Sequence, residues 1–394
     1  MNYKLLTPIL CTVAAMAGAQ ENLQKQAKDA EEQKTFTTVK ELPITSIKNQ
    51  YRSGTCWAFG TLGYLESEIL RRTGKTVDLC EMFVVNKDYM DNAVHYVRMH
   101  GFSQISEGGS CDDVLDVIQR HGICPEDAMP APGSLVGDKG ANFKVFFPEL
   151  TEAVRRAIVP DDSTAADLVS AQKAATAIGA VQRPHWQDSV QAIIDRNVGP
   201  CPDTFTYEGK NYTPQAFAQS LGINADDYVS LTSYLHHPFR RWCVIEAPYK
   251  WRLKPSYNIP IDELMDVLDR ALEAGYTVAW GGDVSGGLTV KGTAELPDSL
   301  VALLPNTFDA AWQAQRQEQW DDWRFTYDHV MLIYGKAVDE HGKPYYMVKN
   351  TWGEVGPYKG IWYMARDYMA LNTTYIFLNR KALPKKLRKA VERH

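Results

Sequence analysis

The chain has 394 residues, of which 45% are hydrophobic and 23% are charged, a composition typical of a globular protein. Its net charge of -6 and pI near 5.9 argue against a nucleic-acid partner, because nucleic acids select basic surfaces. Basic residues are concentrated at 385–394, where "KKLRKAVERH" is predicted to form a solvated helix face, with binding to a polyanion as the alternative.

The first 19 residues have the organisation of a secretory signal peptide. Lys4 precedes an apolar stretch from Leu5 to Ala17, and the small residues Ala17-Gly18-Ala19 follow it. This stretch is shorter than the roughly 20 apolar residues that cross a bilayer, so no stable membrane insertion is predicted. We therefore expect export to the periplasm or the extracellular space.

A helical region follows a polar lead-in at residues 20–40. From Cys56 onward, apolar side chains recur at spacings of three and four and predict an amphipathic helix. Further helices are predicted over 80–99 and 111–121. We assign residues 41–125 to a helical lobe.

The pattern changes after residue 125. Residues 126–250 include a long Ala-rich, helix-prone stretch, and we interpret this zone as a largely helical insertion. A helix is predicted over 260–274, after which the period of the apolar residues falls from 3.6 to 2. Segments rich in β-branched and aromatic residues then predict strands at 276–282, 330–338, 345–350, 360–364 and 374–378.

This order of elements predicts an α+β protein. The helical lobe would pack against an antiparallel, barrel-like β lobe at 251–380, and a basic tail would follow at 381–394. No Cys/His spacing typical of a zinc site occurs, so no metal and no cofactor are predicted.

The stretch "NQYRSGTCWAFG" (49–60) places a thiol where a loop becomes a helix. The first turn of a helix has unpaired N–H groups and the positive end of the helix dipole, which favour the thiolate form of Cys56. Gln50 carries an amide that could stabilise an oxyanion beside Cys56, together with the backbone N–H of Cys56. The alternative is a buried structural cysteine.

A cysteine nucleophile also needs a base. His329, in "TYDHVMLIYG", stands at the mouth of an apolar strand, and Asn350, in "VKNTWG", ends a later strand. Asn350 could accept the ring N–H of His329, so that the other ring nitrogen faces the thiol. Trp352 would shield that hydrogen bond from water. Taken singly, each of these residues also has an ordinary structural explanation.

The order Gln50, Cys56, His329, Asn350 and Trp352, in the contexts "CWAF" and "NTWG", resembles the papain-like cysteine peptidases. The resemblance implies a two-lobed papain-like fold and hydrolysis of peptide or protein substrates through a Cys-His-Asn triad.

Other segments resemble the bleomycin hydrolase and aminopeptidase C branch, among them "DYVSLTSYLHHPF", "AWGGDV" and "YYMVKNTWGEVGPYKGIWYMARDYM". The segment "EGGSCDDVLDVIQRHGICPEDAMP" (107–130) resembles one that offers its backbone to an extended substrate. By that match Gly108 and Gly109 line the non-primed side of the cleft, and the peptidase domain covers residues 41–380.

Members of this branch are typically intracellular, form hexameric rings and place their own C-terminal end in the cleft. The resemblance thus implies a homo-oligomer and an aminopeptidase, with a cytoplasmic location as the alternative to export. The basic tail differs from the mostly apolar ends of the branch, which leaves an endopeptidase with an open cleft as an alternative. A non-catalytic peptide-binding protein is a further alternative, against which the joint retention of the four polar site residues argues.

Overall fold

A computed structural model of the chain describes residues 33–129, 141–156, 185–287 and 292–392. The predicted signal peptide, most of the polar lead-in, the centre of the predicted insertion and His394 lie outside the described residues. Within the described ranges, no helix combines the length and the apolar character needed to cross a membrane.

The described residues form an α+β fold, as predicted, with helices early in the chain and strands late. The helices are α1 (Cys56–Thr73), α2 (Glu81–Arg98), α3 (Cys111–His121), α4 (Phe143–Arg156), α5 (His185–Val198), α6 (Pro214–Ser220), α7 (Ile261–Glu273), α8 (Asp298–Val301), α9 (Ala310–Asp321), α10 (Arg366–Asn372) and α11 (Lys385–Val391). The strands are β1 (Phe36–Glu41), β2 (Phe205–Tyr207), β3 (Lys210–Tyr212), β4 (Tyr228–Thr232), β5 (Arg241–Cys243), β6 (Ser256–Asn258), β7 (Val278–Gly282), β8 (Thr293–Ala294), β9 (His329–Asp339), β10 (Pro344–Lys349), β11 (Ile361–Ala365) and β12 (Thr373–Asn379).

Ten of the strands form one sheet in the order β5-β6-β4-β12-β7-β9-β10-β11-β8, with β1 paired to β9. Most pairs are antiparallel, as predicted, but β4 pairs with β6 and β8 pairs with β11 in parallel. The sheet is therefore mixed, because helices and loops return the chain to it in the same direction.

Two predicted boundaries differ from the structure. The last residues of the predicted polar lead-in, 36–40, form β1 together with Glu41 and pair with the second half of β9. Within the predicted insertion at 126–250, strands β4 and β5 belong to the main sheet. Both stretches carry polar residues among apolar ones, and their strand conformation depends on partners far away in the chain.

Helix α1 packs directly against β9, and this contact positions the site. A side chain at Gly60 would come within 2.8 Å of the carbonyl oxygen of Val330, so glycine is needed for the close approach of helix and strand. Because α1 begins at Cys56 and β9 begins at His329, the contact brings both residues to the same end of the interface.

The described tail packs on the β lobe. Lys385, Lys386 and Lys389 of α11 are exposed, as predicted for a solvated helix face. The opposite face is buried, since Leu387 and Val391 belong to the apolar core that also contains α7.

Candidate active site

Cys56 is the first residue of α1. The carbonyl oxygen of Thr55 accepts the N–H groups of Ala58 and Phe59, so the helix ladder starts above Cys56 and leaves the Cys56 N–H without an intrahelical partner. The Cys56 Sγ lies 4.0 Å from the carbonyl oxygen of Asp328, the residue before His329. Cys56 is only 6% exposed.

His329 is fully buried and lies beside Asn350. Its Nε2 atom is 2.8 Å from Asn350 Oδ1, the contact expected from the sequence. An amide oxygen can only accept, so Nε2 carries the proton and Nδ1 keeps its lone pair. Among the described residues, Nδ1 has no hydrogen-bond partner. The ring of Trp352 covers His329, with 5.0 Å between the ring centroids.

Gln50 is buried next to the loop that leads into α1. Its backbone N–H donates to the carbonyl oxygen of Thr351 at 2.8 Å, and its side-chain Nε2 donates to the carbonyl oxygen of Ser53 at 2.6 Å. A primary amide has two N–H groups, so a second donor remains on Nε2. The side-chain amide of Gln50 is thus anchored to Ser53, three residues before Cys56, and its backbone is anchored to Thr351, next to Asn350.

Glu107 is a residue of this site that the sequence did not single out. Its Oε2 accepts the N–H of Gly54 at 2.6 Å, and its carbonyl oxygen accepts the indole N–H of Trp57 at 2.9 Å. Burial raises the pKa of Glu107 to about 7, although the hydrogen bond from Gly54 opposes the shift. Glu107 therefore holds residues on both sides of Cys56. Its position in the sequence, directly before the Gly108-Gly109 pair, gives no indication of these contacts.

Asp283 and Asp328 hold the other side of the site. Asp328 accepts the N–H of Val284 at 3.0 Å, and Asp283 accepts the N–H groups of Ser285 and Thr326, each at 2.7 Å. Burial raises the pKa of both carboxyl groups, and their proximity adds to the shift of Asp328. These bonds join the end of β7 to the residues immediately before His329.

The protonation of the substrate-free site is set mainly by burial. Burial raises the pKa of the Cys56 thiol to about 12, against an opposing backbone hydrogen bond at Val330. Burial also lowers the pKa of His329 to about 4, although the hydrogen bond to Asn350 favours the charged ring. The sequence predicted a lowered thiol pKa from the helix start, but loss of hydration on burial raises it instead. A neutral thiol and a neutral imidazole follow.

We expect the acidic limb of the kcat/KM profile to lie near pH 4. Below the lowered pKa of His329 the ring is protonated and cannot accept the thiol proton, whereas an ordinary histidine would already be protonated below pH 6.5. Turnover of an aminoacyl fluorogenic amide, measured from pH 3.5 to 8, tests this. An acidic limb at pH 6.5 would contradict the buried, neutral imidazole.

A group that could hold a metal ion lies apart from these residues. The imidazole Nε2 atoms of His236 and His237 lie 3.2 and 3.1 Å from Glu246 Oε2. The three candidate ligand atoms lie within 4.8 Å of one another. Both rings already use the same carboxylate oxygen, so the group is satisfied by hydrogen bonds alone.

Comparisons with known proteins bear on the whole chain. A model described as the Peptidase C1-like family matches residues 3–394. Aminopeptidase G of Lactobacillus delbrueckii subsp. lactis is 22% identical over 408 residues, which cover 96% of this chain and 90% of the relative. Aminopeptidase C of Listeria monocytogenes is 24% identical over 385 residues, which cover 88% of this chain and 83% of the relative. The crystal structure of PepW from Lactobacillus rhamnosis HN001 shares the fold, with a TM-score of 0.67 and 20% identity over 100% of this chain and 96% of that chain.

Proposed function

Because the chain belongs to the Peptidase C1-like family, we propose that it is a cysteine aminopeptidase whose nucleophile is Cys56. The observation that carries the proposal is the hydrogen bond from His329 to Asn350, which leaves Nδ1 as an acceptor where β9 meets the start of α1. The names of the relatives support aminopeptidase action.

The reaction would begin when Cys56 Sγ attacks the carbonyl carbon of the scissile peptide bond. His329 Nδ1 takes the thiol proton as the C–S bond forms, and Asn350 stabilises the imidazolium that results. The charge on the former carbonyl oxygen is stabilised by the Cys56 N–H and the free N–H of Gln50 Nε2. Trp352 excludes water from the His329–Asn350 bond.

The proton then passes from His329 to the leaving amine, and the peptide C–N bond breaks. A thioester between Cys56 and the released N-terminal residue remains. His329 next takes a proton from a water molecule that attacks this thioester, and returns it to the sulfur. The neutral thiol and imidazole are restored, so atoms and charge balance over the cycle.

Free and blocked N-termini separate an aminopeptidase from an endopeptidase. We expect an aminoacyl fluorogenic amide with a free α-amine to be cleaved at least about 100-fold faster, by kcat/KM, than its N-acetylated counterpart, since an acyl group needs space upstream of the first residue. Initial rates on the matched pair measure this ratio. Equal rates would exclude the aminopeptidase and favour an endopeptidase with an open cleft.

We propose export on the organisation of residues 1–19. A homo-oligomer is proposed from the resemblance to ring-forming members of the branch.

A further inference from the structure

The Gly108–Gly109 segment, which is proposed to line the non-primed side of the cleft, is covered by side chains of the protein itself. The ring of Tyr249 covers Gly108, since a side chain there would meet its Cδ1 at 2.7 Å. On Gly109 a side chain would meet the indole of Trp57 at 2.8 Å. Trp57 directly follows Cys56 in α1, so Gly109 packs against the residue next to the nucleophile.

Tyr327 occupies the hydrogen-bonding edge of this segment. Its hydroxyl donates to the carbonyl oxygen of Gly109 at 2.6 Å and lies 3.0 Å from the hydroxyl of Tyr375. The Tyr375 hydroxyl in turn accepts the backbone N–H of Cys111 at 3.1 Å. Tyr327 is 2% exposed and Tyr375 is fully buried, so the two rings fill the space beside the Gly pair.

A glycine in the sheet leaves the space that these two rings occupy. A side chain at Gly281 of β7 would meet Tyr375 at 2.5 Å and Tyr327 at 2.9 Å. Gly281 pairs with Val330, one residue after His329, so the two rings lie directly beside the start of β9. The rings of Tyr249 and Tyr327 are also neighbours, with centroids 6.1 Å apart.

Buried ion pairs fix the segment that carries Tyr249. Lys250 lies over the ring of Tyr375 at 4.6 Å and binds Asp112 at 2.6 Å. Arg252 binds Asp88 at 2.7 Å, and its side chain is 7% exposed. Breaking such buried pairs leaves uncompensated charge, so Tyr249 is held against the helical lobe.

The described tail does not reach this place. Strand β12 begins beside Gly282, the partner of His329, and runs away from it to Asn379. The side chain of Asn379 donates to Glu68 at 3.0 Å. Glu68 is 12 positions beyond Cys56 in α1, which is about 18 Å at 1.5 Å per residue. Residues 380–392 continue from that remote end into the β-lobe core.

We propose that Tyr249, Tyr327 and Tyr375 form a plug that closes the non-primed side of the cleft beyond a single residue. The inference rests on the proposed function and names its substrate class: peptides with a free N-terminus, from which one residue is removed at a time. Each residue upstream of the scissile bond would carry an extended substrate about 3.4 Å further from Cys56, towards the Gly pair. A second residue would need the Gly109 carbonyl and the space that the tyrosines hold.

Affinity labels of two lengths test the plug without requiring turnover. An aminoacyl chloromethyl ketone with a free amine should alkylate the wild-type Cys56 at least about 100-fold faster than an N-acetyl-dipeptidyl chloromethyl ketone, as judged by intact mass. In Tyr249→Ala and in Tyr249→Ala/Tyr327→Ala, this ratio should fall to about 10 or less. Tyr249 is half-buried, so the single variant should remain folded. Tyr212→Ala, in the remote β2–β3 hairpin, is the matched control and should keep the wild-type ratio.

The outcomes separate the plug from the proposed function. Equal labelling of the wild type by both reagents, or a ratio that both variants leave unchanged, overturns the plug while Cys56 stays a nucleophile. Failure of both reagents to label Cys56 in every protein overturns the proposed function, and the plug with it.

Discussion

Replacing Cys56 with alanine is expected to abolish peptide hydrolysis while the protein stays folded. The C–S bond of the proposed acyl-enzyme cannot form without the sulfur, and loss of the nucleophile in comparable triads costs about 10⁶-fold in kcat. The side chain is small, so its removal should lower the free energy of unfolding by only about 1 kcal/mol. Turnover of an aminoacyl fluorogenic amide and the thermal unfolding midpoint measure the two effects.

Cys201→Ala is the matched control for this variant. Cys201 is a half-buried free thiol whose Sγ lies 3.9 Å from the carbonyl oxygen of Phe83, outside the site. Its replacement should leave turnover unchanged. Turnover by Cys56→Ala at the wild-type rate would refute Cys56 as the nucleophile and leave a peptide-binding protein as the better description.

Replacing His329 with alanine should lower kcat by about 10⁴-fold or more, with KM nearly unchanged. The buried Cys56 thiol, with its raised pKa, cannot supply a thiolate near neutral pH without a base to take its proton. The ring contacts Asn350 and Trp352, and it is proposed to act on the proton and not to bind substrate, so the loss should fall on kcat.

His341→Ala controls for the loss of an imidazole. The side chain of His341 is 84% exposed in the loop between β9 and β10, so its replacement should change neither constant. A loss that appeared mainly in KM for His329→Ala would indicate a binding role and contradict the proposed proton transfer.

The helix and the strands that carry the site could be predicted from the sequence. The elements that pack around them were harder to predict. The helix from Cys56 and the strand that begins with His329 have strong local periodicity, and their residues lie where the pattern placed them. The His329–Asn350 contact could be anticipated because both residues flank strands. Strand β1 could not, since its polar residues become a strand only by pairing with β9.

Burial was the quantity that local patterns could not supply. The start of a helix predicts a lowered thiol pKa, but Cys56 is also buried, and the loss of hydration raises its pKa to about 12. The tyrosine plug was missed for a related reason. Tyr249, Tyr327 and Tyr375 lie on three separate segments, and each reads alone as an ordinary core aromatic.

Because the described tail docks on the β lobe, its sequence can change without changing where a peptide is cut. A tail lying in the cleft would couple these two properties. In such an arrangement, each residue added to or removed from the terminus would shift where a peptide is cut. Here the described tail ends its strand beside Glu68 and buries Leu387 and Val391 under the β lobe. Substitutions in the described tail are therefore expected to change the stability of the β lobe. The position at which a peptide is cut would depend on residues in the body of the domain.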